Sequence, residues 1–553
     1  MRAIANFLIL FCFVVSIHGC GDTVSPSTVF EREQGAKLLF RFEHPDTVCS
    51  VLFWPEKEVL VTGCWDDSIR VWNIRTGKPD REWKAQQGGI TALAASREGM
   101  LASGGSDCSV RVWDGLKSTK VAQFETREVA NSLAFSPAEG LLSCTAWFSV
   151  YLWDLPKRQP IAESPGNNGV SAVSFSPNGK LLAIGTDHGS VLLLEAPYAS
   201  LPMENLAGAL ILDRSPRNQV GQTGDGYAIY SLAFSPDGRT LAAFGEISDL
   251  VLWEVLTGKE RRRLKTEGAI GFSVAFAPNG NILATGEGWR FWLRGFPQRQ
   301  QTTSTNNKGE KGNCTRLWDI RSGKPICGLA RHEQGTRCVA FSADGKLLAT
   351  GSEDKTALLW DVSEIMKASE AKEGEPVLGD LEPLWLALTN DDAYKASAYE
   401  AFDAILAMSG SPKQSVPFLR TKLRPVATVE KSTVEKLLKD LDSDDFATRE
   451  HASEELSKLG EGAEPILRDR LSKSASSEAR HRIEALIDKV DKCKGHNPPA
   501  EVLGALRGIE TLERIGSDDA ARLLEDLAKG VPWARQTQDA KASLERIKQR
   551  RKS

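Results

Sequence analysis

The hydrophobic pattern of the first two thirds of the chain is a repeat of paired short strands. The segment Leu347–Val362 reads LLATGSEDKTALLWDV, two apolar runs separated by a turn at Ser352, Glu353 and Asp354. Copies of this pair recur upstream, and the large apolar residue near the end of each second run is Trp72, Trp113, Trp153, Leu194, Trp253, Trp318 or Trp360. Four of the six intervals are about 40 residues, the period of a four-stranded blade. The pattern therefore predicts a β-propeller with seven blades.

A second motif precedes each strand pair. Examples are Ser231–Ala242 (SLAFSPDGRTLA) and Ala172–Ala183 (AVSFSPNGKLLA), whose Pro-Asp-Gly and Pro-Asn-Gly turns suit a tight hairpin. With these motifs the chain resembles the WD40 repeat family from about Gly35 to Val362. The resemblance implies an all-β, seven-bladed WD40 propeller, in which the large residue of each blade packs against the next blade.

The WD40 resemblance also implies an internal hydrogen-bond network. Blades of this family are often pinned by a His before the first strand, a Ser or Thr on the second, an Asp in the following turn and a Trp on the third. By position, the first and last blades carry the full set and the second lacks only the His: His44, Thr62, Asp66 and Trp72; Ser103, Asp107 and Trp113; His332, Thr350, Asp354 and Trp360. Blade three has Ala146 at the Asp position, and blade four has Leu194 at the Trp position.

The sequence also predicts how the ring closes. After Trp360 the chain continues as SEIMKASEAKEGEP, which is not a strand pattern, so blade seven lacks a fourth strand from that side. The segment Gly35–His44 (GAKLLFRFEH) resembles a fourth strand. We therefore expect it to complete blade seven, so that no sheet edge is left open.

Two insertions interrupt the period, one between Leu194 and Leu232 and one inside blade six at 288–313. Loops of this length are uncommon without a role. The second contains our candidate partner-binding residues: Trp289, Phe291, Trp292, Arg294 and Phe296. The alternatives are that these aromatics extend a hairpin or pack on the rim, or form a platform for a sugar.

The last third of the chain has a helical pattern. Residues 363–380 have the composition of a linker, and 381–553 contain apolar positions at helical spacing. Three helix pairs are predicted, with turns at Gly410, Gly460 and Gly516 and second helices opened by Pro417, Pro465 and Asp518. This indicates an all-α, HEAT-like helical domain. It also resembles the helical region attached to a group of bacterial WD40 proteins.

The N-terminus has the features of an export signal. Residues 1–20 contain one charge, Arg2, before the apolar run Phe7–Ile17, which is too short to cross a bilayer. The end of this segment resembles a bacterial lipobox, which makes Cys20 a candidate for lipidation and 21–34 a tether. We expect an exported protein, periplasmic or held at the cell envelope, or a cytoplasmic one if the segment is not a functional signal.

Composition and motifs argue against several chemistries. The formal net charge of -4 gives no reason to expect nucleic acid as a partner, and a membrane is expected only through a lipid at Cys20. Beyond residues 1–20, eight cysteines are scattered without a CxxC pair, which favours small buried residues over disulfides or zinc. No phosphate-binding loop, GxSxG or HExxH motif occurs, and no cofactor is implied.

These observations predict a non-enzymatic scaffold that binds other proteins through a propeller face and a helical-repeat surface. The alternative is an exported propeller that binds a small molecule or glycan in its central pocket, with hydrolysis as one outcome. A third hypothesis is a structural role in the envelope.

Overall fold

The computed structural model describes most of the chain outside the N-terminal segment and the long loops. The described residues are 35–54, 58–115, 117–138, 140–165, 169–196, 198, 210–213, 228–246, 249–266, 269–288, 315–370, 377–390, 396–473, 476–495 and 498–552.

Seven antiparallel four-stranded sheets form the first part, one for each predicted blade. From inner to outer strand, blades one to four contain β2 Val48–Phe53, β3 Val59–Cys64, β4 Ser68–Asn73 and β5 Pro79–Lys84; β6 Ile90–Ala95, β7 Met100–Gly105, β8 Ser109–Asp114 and β9 Thr119–Glu125; β10 Ala130–Phe135, β11 Leu141–Ala146, β12 Ser149–Asp154 and β13 Gln159–Pro165; β14 Val170–Phe175, β15 Leu181–Thr186, β16 Ser190–Glu195 and β17 Leu210–Asp213. Blades five to seven contain β18 Ile229–Phe234, β19 Thr240–Gly245, β20 Leu250–Glu254 and β21 Glu260–Leu264; β22 Ile270–Phe276, β23 Ile282–Gly288, β24 Thr315–Asp319 and β25 Lys324–Leu329; β26 Thr336–Phe341, β27 Leu347–Ser352, β28 Thr356–Asp361 and β1 Lys37–Glu43. The seven-bladed propeller is confirmed.

The ring is closed by the first strand of the chain. Strand β1 pairs antiparallel with β28, from Lys37 opposite Asp361 to Glu43 opposite Thr356, and so supplies the outer strand of blade seven. The inner strands β26 and β2 lie side by side, as do the inner strands of every other pair of adjacent blades. The expected closure by Gly35–His44 is therefore confirmed.

The packing between blades follows from the alternation of the strands. Side chains of one face meet the next sheet, as where Phe124 of β9 stacks on Trp153 of β12 with ring centroids 4.8 Å apart. At the seam, the ring centroids of Phe42 of β1 and Trp72 of β4 are also 4.8 Å apart, with the ring planes tilted by 38°. Because successive strands are antiparallel, the loops alternate between two faces. We call the face with the second-to-third-strand and fourth-to-first-strand loops the upper face, and the opposite one the lower face.

The rest of the described chain is helical. Its elements are α1 Ser363–Glu370, α2 Glu382–Thr389, α3 Ala396–Gly410, α4 Pro412–Lys422, α5 Lys431–Asp440, α6 Phe446–Leu459, a 3-10 turn Gly460–Ala463, α7 Glu464–Lys473, α8 Ser477–Lys494, α9 Ala500–Ile515, α10 Asp518–Leu527 and α11 Arg535–Lys552. An all-α region after the propeller is thus confirmed.

Two details of the predicted helices were wrong. The first eight residues of the expected linker at 363–380 form α1, because Ile365 and Met366 are buried against the core of blade seven. The fourth helix begins at Pro412, and Pro417 lies inside it. A proline is well placed in a first helical turn, and Pro412 takes that position five residues before the expected start.

The helices form two cores that are not consecutive along the chain. One core joins α2, α3 and α4 to α9, α10 and α11, with Met408, Ile509 and Leu524 at its centre. The other lies within α5 to α8, around Leu456 and Ile483. The first predicted helix pair therefore packs on the third, with α3 against α9 and α4 against α10. This order departs from the neighbour-to-neighbour stacking of a HEAT-like array.

Candidate functional site

The polar network expected within blades is present in full in blade seven. His332 Nε2 lies 2.7 Å from Thr350 Oγ1, and the Trp360 indole N–H donates to the same oxygen at 3.3 Å. His332 Nδ1 lies 3.0 Å from Asp354 Oδ2, so the ring with a proton on Nδ1 donates to the carboxylate. The network joins the upper loop to the second and third strands.

In blade one the same four residue types make a different set of contacts. His44 Nε2 lies 2.9 Å from Thr62 Oγ1, which also accepts from Trp72 Nε1 at 3.0 Å. His44 Nδ1, however, bonds to the Phe42 carbonyl, and Asp66 binds Arg70 at 2.6 Å. Our expectation of two equivalent sets was therefore wrong, because Arg70 takes the carboxylate.

Burial makes His44 hard to protonate. Desolvation is the main cause that lowers its pKa, and the nearby positive charge of Arg70 adds to it, so that the pKa falls to about 4. The side chain is almost fully buried. His44 is therefore a neutral structural group at neutral pH and not a proton-transfer residue.

Two substitutes for the network were missed by motif reasoning. In blade two, the fully buried Gln87 accepts from Ser103 Oγ at 2.5 Å, and Ser103 accepts from Trp113 Nε1 at 2.8 Å. In blade six, Thr285 Oγ1 accepts from Trp318 and donates to Glu287 at 2.7 Å. A glutamine or glutamate can bond to the hydroxyl as the imidazole does, but neither belongs to the family signature.

Blades three and five differ from the family's hydrogen-bond network more than blades two and six do. In blade three Leu142 pairs with Trp153, eleven residues on, whereas in blade one Leu60 pairs with Trp72, twelve residues on. The hairpin is one residue shorter, so Ala146 ends strand β11 and does not occupy the turn position expected for it. In blade five the position of the threonine is Ala243, opposite Val251, and the buried Trp253 indole N–H has no hydrogen-bond partner among the described residues.

Blade five instead carries buried charges that bind the helical domain. Arg261, Glu254 and Arg507 are each at most 2% exposed. Arg507 of α9 donates to both oxygens of Glu254 at 3.0 and 2.7 Å, and Arg261 of β21 donates to both oxygens of Glu510 at 3.0 and 2.6 Å. Arg261 also reaches Glu254 at 3.1 Å. The four charges form one chain of paired groups across the two domains.

The electrostatics of this cluster are mutually compensating. Burial by itself would raise the pKa of Glu254, but the adjacent Arg507 and Arg261 outweigh it and hold the pKa at about 2. The same pairing, against burial, raises the pKa of Arg261. Glu254 and Arg261 therefore stay charged at neutral pH, because each is desolvated only together with its partners.

Two further contacts hold the helices to the lower face. Arg239, in the lower turn of blade five, binds Glu513 of α9 at 2.7 Å and Asp539 of α11 at 2.9 Å. Phe402 of α3 is buried in the core that includes Leu264 and Trp318 of blades five and six. The chain's own helices therefore occupy the lower face of these blades.

The inner strands define the mouth of the central channel at the upper face. In every blade the pairing of the first two strands shifts by one residue near its upper end, which leaves one bulged residue per blade. The seven bulged residues are Cys49, Thr91, Asn131, Ser171, Tyr230, Phe272 and Arg337. The ring centroids of Phe272 and Tyr230 lie 6.5 Å apart. The guanidinium of Arg337 lies over the ring of Phe272 and pairs with Glu353 at 3.0 Å.

Several predicted residues lie outside the part of the chain that the structure describes. These are Cys20 and the candidate partner-binding residues Trp289, Phe291, Trp292, Arg294 and Phe296. Their roles stay predictions. Their loop joins β23 to β24 and so leaves the upper face.

The described residues contain no group of three or more metal-binding side chains, and no disulfide joins the cysteines among them. No helix among them has the length and apolar character needed to cross a membrane. A surface pocket of about 380 Å³ lies on the outer strand of blade two beside Val121 and Phe124, and its charged lining residues are Lys120 and Arg158.

The repeats match a known family. The family model "WD domain, G-beta repeat" matches residues 36–73, 77–114, 158–193 and 323–361. The class defined by the fold is therefore a closed seven-bladed β-propeller with a docked helical domain. More particularly, these four stretches of the propeller carry WD40 repeats.

Similar proteins were found among eukaryotic sequences. The nuclear distribution protein PAC1 of Arthroderma otae is 28% identical over 274 residues, 48% of this chain and 56% of its own. The human apoptotic protease-activating factor 1 is 30% identical over 45% of this chain and 19% of its own, and the rice guanine nucleotide-binding protein subunit beta is 24% identical over 58% and 82%. The chain thus spans just over half the length of PAC1. These relatives lend no support to the expected bacterial group.

Proposed function

We propose that this chain is a non-enzymatic scaffold that binds other proteins on the upper face of its propeller. The observation that supports the proposal is the difference between the lower and upper faces of the propeller. The lower face of blades five to seven is covered by α1, α3, α9 and α11 through buried contacts. The upper face carries the end of β23 and the start of β24, the channel mouth and the aromatic turn of blade three, where Phe148 is 48% exposed.

The names of the relatives support a role in protein assemblies. One is by name a subunit of a guanine nucleotide-binding protein, and another, 32% identical over 118 residues, is named as the small ribosomal subunit protein RACK1y of rice. A propeller whose relatives are components of larger particles suits a docking role for this chain as well.

The helical domain offers a second surface in a fixed orientation. Its exposed apolar side chains include Leu386 of α2 and Phe446 of α6, which are 64% and 63% exposed. Because the charge cluster of blade five holds the two domains together, partners on the two surfaces would be held at a set distance. Such bivalent binding raises the effective concentration of one partner for the other.

A second candidate function is small-molecule or glycan binding at the channel mouth. It is favoured by Tyr230 and Phe272, whose rings could stack on a sugar, with Arg337 and Glu353 beside them. Hydrolysis would need a second acid or base in reach of Glu353. Export and lipidation at Cys20 belong to this proposal too, and the mass of the mature N-terminus tests them.

Site-specific photo-cross-linking tests the proposed function. Benzoylphenylalanine is placed at Trp65 or Phe148 on the upper face, and at Glu98 in a lower turn of blade two as the matched control. We expect the same identified protein to be linked from both upper positions in extracts of the source cell, and not from Glu98. Equal labelling from all three positions, or labelling from none, would contradict the proposal. Glycan-array binding lost on Phe272→Ala would then favour the second candidate.

A further inference from the structure

We propose that the upper rim of blade three is a docking site for an extended peptide segment that presents a lysine or arginine next to an apolar residue. Glu128 would bind the cationic side chain, Phe148 the apolar one, and Asn131 a main-chain carbonyl of the peptide. The inference rests on the proposed function, because it names the chemistry of a partner for the same face.

The other blades indicate what blade three lacks. In blades one, two and six, an arginine two residues before the Trp pairs with a carboxylate of the rim. The pairs are Arg70 with Asp66 at 2.6 Å, Arg111 with Asp107 at 3.2 Å, and Arg316 with Glu287 at 3.4 Å. In blade three this position is Tyr151, whose hydroxyl accepts from the Arg127 main-chain N–H at 2.9 Å. The rim of blade three therefore has a carboxylate, Glu128, without the arginine that the third strand supplies in blades one, two and six.

Contacts on either side place Glu128 beside the aromatic turn. The chain runs from Arg127, held by Tyr151 after the turn, to Ala130, which pairs with Ala146 before it. Glu128 thus lies alongside the turn formed by Trp147 and Phe148. Trp147 has a φ of 37°, a backbone conformation that side chains rarely adopt, in the shortened hairpin. This turn presents Phe148 to solvent, 48% exposed.

The polar groups at this rim are incompletely satisfied. Glu128 Oε2 and Asn131 Nδ2 are shielded from solvent and have no hydrogen-bond partner in the described chain. The adjacent Arg127 is engaged by Glu163 at 2.9 Å. Burial raises the pKa of Glu128, and the positive charge of Arg127 only partly opposes it. A shielded carboxylate oxygen with no cation of its own is the feature that a partner's cation would complete.

The geometry of the unpaired atoms defines the peptide. Glu128 accepts hydrogen bonds only, whereas Asn131 Nδ2 donates, so a cation and a carbonyl are needed within a few residues of each other. Asn131 is the bulged residue of its strand, which turns its side chain out of the regular pairing. An exposed aromatic next to a charged anchor is typical of the centre of an interface.

The test is selection of peptides from a phage-displayed random 12-residue library on the immobilised full chain, followed by fluorescence polarisation with the selected peptides. We expect a consensus with Lys or Arg beside an aliphatic or aromatic residue. Glu128→Gln should weaken binding about tenfold, and replacing the peptide's cation by Gln should weaken it by about the same factor without adding to the effect of Glu128→Gln. Phe148→Ser should weaken every selected peptide.

The matched control is Glu125→Gln, an exposed carboxylate three residues away on β9, which should leave binding unchanged. A consensus without a cation, or equal binding by wild type and Glu128→Gln, would overturn the inference. The proposed function is tested separately. Peptides that bind Glu128→Gln as well as wild type but cross-link to benzoylphenylalanine at Trp65 would contradict the inference and leave the proposed function intact. No cross-link at Trp65 or Phe148 would contradict both the inference and the proposed function.

Discussion

Blades seven and five resolve the same problem, the burial of polar groups between sheets, in opposite ways. Blade seven satisfies its Trp360 indole within the blade, through Thr350, His332 and Asp354. Blade five leaves its Trp253 indole unpaired and pairs its buried charges with α9, about 250 positions further along the chain. A repeat motif can specify the first arrangement, because all of its members lie within one repeat. The second depends on another domain, so blade five is tied to the helices as firmly as to its neighbouring blades.

Deletion of Lys37–Phe42 should have the largest effect on this comparison. It removes the outer strand of blade seven together with the buried Phe42, so the ring opens at the seam. We expect loss of cooperative unfolding by calorimetry, starting from blades seven and one. A thermal transition unchanged from wild type would show that closure by β1 contributes little.

Glu254→Ala should have the next largest effect. It leaves Arg261 and Arg507 buried without their shared carboxylate, which costs about 3–5 kcal/mol by analogy with other broken buried ion pairs. Urea unfolding followed by tryptophan fluorescence measures it, and limited proteolysis should cleave before α2 more readily. Glu58→Ala is the control, since its exposed pair with Arg75 should contribute at most about 1 kcal/mol. Equal shifts for both variants would mean that the domains are not coupled by this cluster.

Thr350→Val tests the hydrogen-bond network within blade seven. It leaves the Trp360 N–H and a His332 nitrogen buried without a partner, so the free energy of unfolding should fall by about 2–3 kcal/mol. Thr350→Ser, which retains the hydroxyl, should recover most of this. The same loss in both variants would indicate that the methyl group, and not the hydrogen bonds, matters.

His44 gives a pH-dependent version of the seam experiment. Its pKa of about 4 in the folded chain is below the usual 6.5, so the unfolded chain binds the proton more tightly. The stabilising effect of the neutral His44 is complete above about pH 6.5 and is lost as the pH falls towards 4. At pH 5 the free energy of unfolding is lower by about 2 kcal/mol because of this group. His44→Gln should remove this part of the difference in urea midpoint between pH 7.5 and 5. An unchanged difference would assign the pH dependence to other groups.

Ala243→Ser should have the smallest effect and the opposite sign. It places a hydroxyl where Thr62 and Thr350 stand in the seam blades, opposite the unpaired Trp253 N–H. We expect a gain of about 0.5–1 kcal/mol in urea unfolding. A loss of stability would mean that blade five is packed too tightly for an added oxygen.

The sequence was informative wherever the structure depends on local repetition. The period of the Trp positions, the hairpin turns and the unmatched Gly35–His44 strand were enough to predict seven blades and their closure. The motif residues were found, and the Trp bonds to the Thr or Ser hydroxyl in blades one, two and seven, but the His bonds to the Asp in blade seven and not in blade one. In blade one Asp66 binds Arg70, and the spacing of residues along the sequence does not indicate which side chain this carboxylate will bind.

What the sequence could not supply are contacts between distant segments. Nothing in the local pattern of Glu254 or Arg261 indicates that Arg507 and Glu510 will pair with them. The helix pairs were predicted from the spacing of their apolar residues. Their order of packing was not predicted, because the apolar face of a helix does not indicate which other helix it will contact. The substitution of Gln87 for a histidine could have been suspected from the missing histidine of blade two.

The pairing of β1 with β28 has a consequence for biosynthesis. Residue 37 leaves the ribosome first, but its partner, residue 361, follows more than 300 residues later, which at ordinary rates of translation is on the order of tens of seconds. During that time the strand Lys37–Glu43 is an unpaired, partly apolar edge. A nascent chain of this protein is therefore expected to need a chaperone at its N-terminus until blade seven emerges. A circular permutant that begins at Val48 and ends with β1 would remove that interval.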